Sequence, residues 1–202
     1  MDEAKYKRLI EVADFFNKSA RALLTVDGRL HAETLILSVG RMAGSLMFRS
    51  FAGDKNIPPG TVVLSDAANI HGPKLMQVMF ATLAQLGDQV GENDLDPAYM
   101  SADHAQLNFK ESHERLAPFF LKYCEAGSMN FYDAAVAAAI AAGILAHDCR
   151  EVLAVNRGAA LAVYGFVEGT KTAPFPVSPG VKRRSPSPPP EPEPKKPWYK
   201  FW

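Results

Sequence analysis

Apolar residues recur at steps of three and four along most of the first 170 residues, the spacing of one face of an α-helix. The pattern is clearest over residues 2–24. There Tyr6, Leu9, Ile10, Ala13, Phe16, Ala20 and Leu23 form one stripe, and Lys5, Arg8, Glu11, Lys18 and Arg21 fill the opposite face. Asp27-Gly28 is a turn signal. A second helix is predicted over residues 32–51, with Leu35, Val39, Met42, Leu46 and Phe51 on its stripe. Inside it, Gly40 and Gly44 lie four apart. Two glycines at that spacing leave a flat strip on which another helix can approach closely. With no membrane span in sight, tight packing within the molecule is the expectation.

The middle of the chain is broken more often. Pro58-Pro59 ends the second helix, and Thr61-Val62-Val63-Leu64 is β-branched enough for a short extended piece. Residues 65–73 read as a loop, with Pro73 opening a helix that carries Leu75, Met76, Met79, Phe80, Leu83 and Leu86 and closes at Gly87. Ser101 is the expected cap of a helix running to about residue 116, and Pro118 is expected to end it. Residues 119–123 then form a short apolar helix, and Asn130 caps an alanine-rich helix over residues 131–147. Small residues on every side of that helix predict a central position. Residues 150–167 read as a last helix, although Gly158 and Gly165 leave a pair of strands as the alternative. The sum is an all-α protein. It is a single helical-bundle-like domain of five to six helices over residues 1–172, followed by an extended proline-rich tail over residues 173–202.

Composition sharpens the tail. Ten of the 15 prolines fall between Pro174 and Pro197, seven of them within residues 185–197. Proline removes a backbone donor and clashes with a preceding helical turn, so this stretch is expected to be polyproline-like and extended. The charge divides at the same place. Residues 182–202 hold six Lys/Arg and two Glu, a net of +4, which leaves 16 basic and 20 acidic residues elsewhere. The balanced total argues against a nucleic-acid binder. Two cysteines are too few for a disulfide scaffold. The N-terminus lacks a signal-like apolar run, and the longest apolar stretch, residues 131–146, contains Asp133 and falls short of a bilayer span. These features place the protein in the cytoplasm, with Cys124 and Cys149 reduced.

The chemistry is sparse. No HExxH, GxGxxG, GxxxxGK[ST] or GxSxG motif occurs, so no metal or cofactor is expected. His104 and Glu111 are seven apart and would share a helical face. Asp66, Asn69 and His71 in the loop before Pro73, joined by His104, make the candidate ligand site. His147 closes the alanine-rich helix, where its charge suits the dipole.

The tail carries the strongest signal. Trp198, Tyr199, Phe201 and Trp202 put four aromatics into the last five residues, next to Lys195 and Lys196. Aromatics supply most of the energy at interfaces. They suit a groove on a partner protein, an anionic membrane surface, or this chain's own body or a second copy of it in a homodimer. The expected function is therefore a non-enzymatic interaction or scaffold protein using this tethered peptide. A small-molecule binder or enzyme built on Asp66, Asn69, His71 and His104 is the alternative. The spacer predicts tryptophans that are exposed in the isolated chain and shielded on partner binding.

Overall fold

Asp2 accepts a hydrogen bond from the Lys5 backbone N–H at 2.7 Å and so starts α1 (Glu3–Leu24). The computed structural model describes residues 2–52, 57–64 and 66–177. Among these, five more helices follow: α2 (Ala32–Ala52), α3 (Asp66–Gln85), α4 (Phe109–Ala126), α5 (Phe131–Asp148) and α6 (Val155–Lys171). The fold is an all-α helical bundle, as the stripes predict. The stretch beyond residue 177, with Trp198, Tyr199, Phe201 and Trp202, lies outside the described residues.

α5 occupies the centre. Its alanines, from Ala134 to Ala146, are buried on nearly every side, and it packs on α1, α2, α3 and α6. Small side chains all round are what let four neighbours come close. It is also the one helix among the described residues long and apolar enough to cross a membrane, and most of it is enclosed by the bundle.

Specific pairs give the directions. Lys5–Asp133 and Arg21–Asp148 run α1 parallel to α5. His71 beside Tyr132, and Gly143 against Met79 and Thr82, do the same for α3. Gly158 lies on Ala146, which makes α6 antiparallel to α5. Gly40 meets Ala162 and Gly44 meets Phe166 and Thr170, so α2 and α6 are parallel. The basal end of the bundle is thus where α1, α3 and α5 begin and α2 and α6 finish.

The glycine strip on α2 finds its partner here. α6 presents Gly165 and Gly169, also four apart, to Gly40, Arg41 and Gly44. A Cβ at Gly169 would sit 2.3 Å from the Arg41 carbonyl oxygen, and one at Gly44 would sit 2.5 Å from that of Phe166. The glycines that favoured strands in the sequence are therefore the contact surface of a helix. Their propensity cost of about 1 kcal/mol each is offset by backbone-to-backbone packing.

Four expectations need correction. α3 begins at Asp66, and Pro73 lies inside it. α4 is capped by Asn108, not Ser101, and Pro118 lies inside it, so residues 119–123 belong to the same helix. In both cases the carbonyl that loses its donor, on Asn69 or Glu114, is on an exposed residue, so solvent can satisfy it. Ser101 instead makes a local turn with Asp103. α6 spans Val155–Lys171, five residues later at its start than the stripe indicated. The Asp27-Gly28 turn is as predicted, with φ of 50° and 73°.

Residues 171–177 close the basal end. Lys171 and Ala173 pair with residues 60–63 through Val63 N to Lys171 O (2.7 Å), Ala173 N to Thr61 O (2.9 Å) and Gly60 N to Ala173 O (2.8 Å). Val63 turns inward onto Phe48, Ala52 and Ala173. Extended backbone alternates its side chains, so Val62 and Leu64 turn outward.

Candidate functional site

The four residues of the predicted ligand site do not meet. Asp66, Asn69 and His71 lie on the first turns of α3 rather than on a loop. At 100° per residue, His71 is rotated about 140° from Asp66. Its ring stacks on Phe51 at 5.9 Å and abuts Tyr132 at 6.3 Å, at the basal end. His104 is in the connection before α4. It stacks on Tyr99 at 4.2 Å, and Arg157 at the start of α6 lies 5.0 Å from the same Tyr99 ring. Tyr132 and Arg157 mark opposite ends of the antiparallel α5 and α6, so His71 and His104 are separated by about 25 Å of helix. Glu111 does not share a helix with His104. It closes the capping box of α4, accepting from Asn108 N at 2.8 Å.

The other predicted groups are also internally occupied. His147 Nδ1 pairs with Asp88 Oδ2 at 2.6 Å, which ties the turn after α3 to the end of α5. Burial pushes the Cys124 thiol up to about 11 and raises that of Cys149 as well. A raised thiol holds less of the reactive thiolate at neutral pH. A groove of about 360 Å³ between α1 and the start of α5 is lined by Lys5, Arg8, Asn130 and Asp133. Its charges are matched to each other, Lys5 to Asp133 at 2.8 Å, and its helix N-terminus is filled by Asn130. No group of three His, Cys, Asp or Glu fit to hold a metal occurs among the described residues.

Two buried polar features were missed by the sequence reading. Arg41, between the two glycines of α2, is only 2% exposed. Its Nε donates to Glu168 at 2.6 Å, and its Nη1 donates to Leu107 O at 2.6 Å and Ser112 Oγ at 3.0 Å. Ser112 Oγ in turn lies 3.0 Å from Ser38 Oγ. The guanidinium thereby joins α2, α6 and α4. An arginine flanked by glycines on an apolar stripe is the signal that could have found it, since a charge is buried only with a partner. The second feature is His113, 2% exposed, whose Nε2 has no hydrogen-bond partner. Burial, helped by Arg49, lowers it to about 4. The ring lies under Phe175 at 6.2 Å, and Arg49 donates to the Phe175 carbonyl at 3.3 Å. Arg41 ties three segments of the bundle together, whereas His113 is enclosed by its neighbours.

Several apolar side chains at the basal end are exposed to solvent, among exposed polar ones such as Asp66 and Asn69. Leu64 is 82% exposed, Val62 66% and Ile70 61%. Phe131 and Tyr132 at the start of α5 are also exposed. Isolated exposed aliphatics are ordinary; here several lie at one end of the bundle. The face is built from the paired residues 60–63 and 171–173, the first turns of α3, and the start of α5. No known protein family, curated protein or solved structure matches this chain.

Proposed function

We propose that this is a non-enzymatic interaction protein. The helical body is a platform, and its apolar basal face together with the C-terminal aromatic segment makes contact with a protein partner. The observation that carries this reading is the exposure of Val62, Leu64 and Ile70, each well over half exposed and within nine residues of one another at the basal end; at the opposite end Val152 and Val26 are exposed singly, in two separate connections. A preformed apolar face binds with little ordering cost, because its backbone is already fixed. The competing reading, a ligand pocket, needs Asp66, Asn69, His71 and His104 to converge. Their separation along the bundle removes that support.

The test uses the full chain with Leu64→Asp and Ile70→Asp. Both sites are exposed, so helicity and the unfolding midpoint should be retained. In-cell crosslinking followed by affinity capture should then lose the partners held by the wild-type chain. An unchanged set of crosslinked partners, with the body still folded, would overturn the proposal.

A further inference from the structure

We propose that residues 172–177 are a strap that stays down only while His113 is neutral, and that a proton on His113 lifts it together with the pairing of residues 60–63. This holds whatever the basal face contacts.

His113 is a covered base. It is 2% exposed, and its Nε2 has no hydrogen-bond partner. The strap supplies the cover: Phe175 stands edge-on to the imidazole at 6.2 Å. Phe109 lies at the same distance from the imidazole and from Phe175. A neutral imidazole gives up one hydrogen bond in such a place. An imidazolium would bury a charge and a second N–H donor without water, which costs far more.

The surrounding groups offer the proton no compensation. From α2, Arg49 faces the imidazole with a charge of the same sign. On α4, Lys110 is a second cation, 5.8 Å from the Phe175 ring. The nearest carboxylates on α4 are engaged elsewhere, Glu111 with Asn108 N and Glu114 with Lys110 at 3.8 Å. Glu168 of α6 is held by Arg41. The strap contributes a ring and a carbonyl, and Arg49 already donates to that carbonyl at 3.3 Å. α1 meets α4 two turns further on, through Phe16 on Phe120 and Phe15 on Tyr123.

Water must therefore reach the ring from one side, and the strap is the side that can move. α2 and α4 are helices joined through Arg41 and Ser112. The strap is extended chain, tied down through Ala173 N to Thr61 O, Gly60 N to Ala173 O and Arg49 to the Phe175 carbonyl. Such segments open locally at a fraction of the cost of global unfolding. Ala173, packed on Phe48 and Ala52, keeps it down at neutral pH. Burial and Arg49 hold the covered His113 at about 4, whereas a solvated histidine titrates near 6.5. The pull of the proton is nil above about pH 6.5 and grows as pH falls toward 4. Between pH 7 and 5 the ratio of lifted to closed molecules rises by up to roughly twentyfold.

Amide exchange of the full chain, corrected for the intrinsic pH dependence of exchange, reads this at Gly60, Val63 and Ala173, whose N–H groups make the pairing. From pH 7 to 5 their opening constants should rise together, by roughly tenfold or more. They should be insensitive to low urea, because lifting the strap exposes little surface, while Ala138 and Ala142 in α5 exchange more slowly and respond to urea. His113→Phe should remove the pH dependence at all three amides. Phe175→Ala keeps the histidine and removes its cover, so the His113 titration followed by NMR should move up toward 6.5; this variant decides the matter even if His113→Phe fails to fold. Strap amides that share the rate and urea response of α5 would overturn the proposal, because the strap would then leave only with the whole fold. A pH response that survives His113→Phe would assign it to another group, and a His113 still near 4 in Phe175→Ala would show that the strap is not its cover.

Discussion

Gly169→Ala asks whether α2 and α6 touch backbone to backbone. The new Cβ would lie 2.3 Å from Arg41 O, 2.8 Å from Ser45 N and 3.0 Å from Gly44 Cα. An ordinary contact is about 3.5 Å, so the helices must part by roughly 1 Å, and no side chain can swing aside to absorb it. A gap of that size forfeits a quarter to a half of each van der Waals well along the seam. Overpacking of a dense core costs about 1–3 kcal/mol, and an immovable backbone neighbour puts this case at the upper end. Alanine recovers about 1 kcal/mol of helix propensity over glycine. The net expectation is a loss of about 2 kcal/mol, read as a lower urea midpoint by circular dichroism with an unchanged slope. Gly44→Ala, with Phe166 O at 2.5 Å and Thr170 N at 2.6 Å, should behave alike. The double variant should lose less than the sum, because one substitution has already opened the seam for the other. Gly72→Ala on α3 is the control. Nothing lies within 4 Å of its Cβ, so it should be neutral or stabilising by up to about 1 kcal/mol, tempered by the ring of Pro73. A neutral Gly169→Ala, or additive losses in the double variant, would refute the close contact.

Three further outcomes follow from the buried polar groups. Arg41→Ala should cost about 3 kcal/mol or more by urea titration, because Glu168, Leu107 O and Ser112 lose their shared donor, and Arg41→Lys should not restore it. His113 is neutral in the fold and lowered to about 4 by burial, whereas an unfolded histidine titrates near 6.5. The unfolded chain therefore binds the extra proton between those values. Its contribution is nil above about pH 6.5 and becomes a destabilisation of about 2–3 kcal/mol as pH falls to 4; His113→Phe should flatten that part of the profile, and an identical slope would show that His113 is not the group responsible. Cys124 and Cys149, buried with raised thiols, should react with a thiol reagent at neutral pH only on unfolding, whereas fast labelling of the native chain would mean a local opening of α4 or of the end of α5.

The helices of this fold were legible where an apolar stripe ran unbroken, as in α1 and α2, or where small apolar residues filled every side, as in α5. The boundaries failed at prolines. Pro73 read as a helix start and Pro118 as a helix end because sequence alone does not say which carbonyl will face solvent, and both carbonyls left without a donor lie on exposed residues. The glycines misled in the opposite direction. In α6 they read as weakness, yet spacing of four on both α2 and α6 is one signal seen twice, and its meaning appears only when the two strips are set against each other. The ligand site failed for a related reason. Proximity in sequence grouped Asp66, Asn69 and His71, but a helix spreads them around its axis and the bundle sends His104 to the far end. The basal face was invisible, because outward-facing Val62 and Leu64 differ from inward-facing Val63 only by the pairing of residues 60–63 with the end of α6.

That pairing links the seam to the face. Gly169 stands two residues before Lys171, whose carbonyl accepts from Val63 N at 2.7 Å. Gly44 stands eight residues, just over two turns, before Ala52, which packs on Val63 and Ala173. The separation of the basal ends of α2 and α6 is thus set by glycine contacts one to two turns above them. The same separation fixes the two anchors between which residues 60–63 lie. A seam opened by roughly 1 Å moves one anchor against the other, and hydrogen bonds of 2.7–2.9 Å do not stretch by that amount without weakening. Gly169→Ala should therefore loosen the face as well as the core. Amide exchange at Val63 and Ala173 should quicken more than exchange in the middle of α1, which touches neither helix end. Equal acceleration everywhere would mean that the substitution lowers global stability without reaching the face, and the glycine seam would then be a packing device alone.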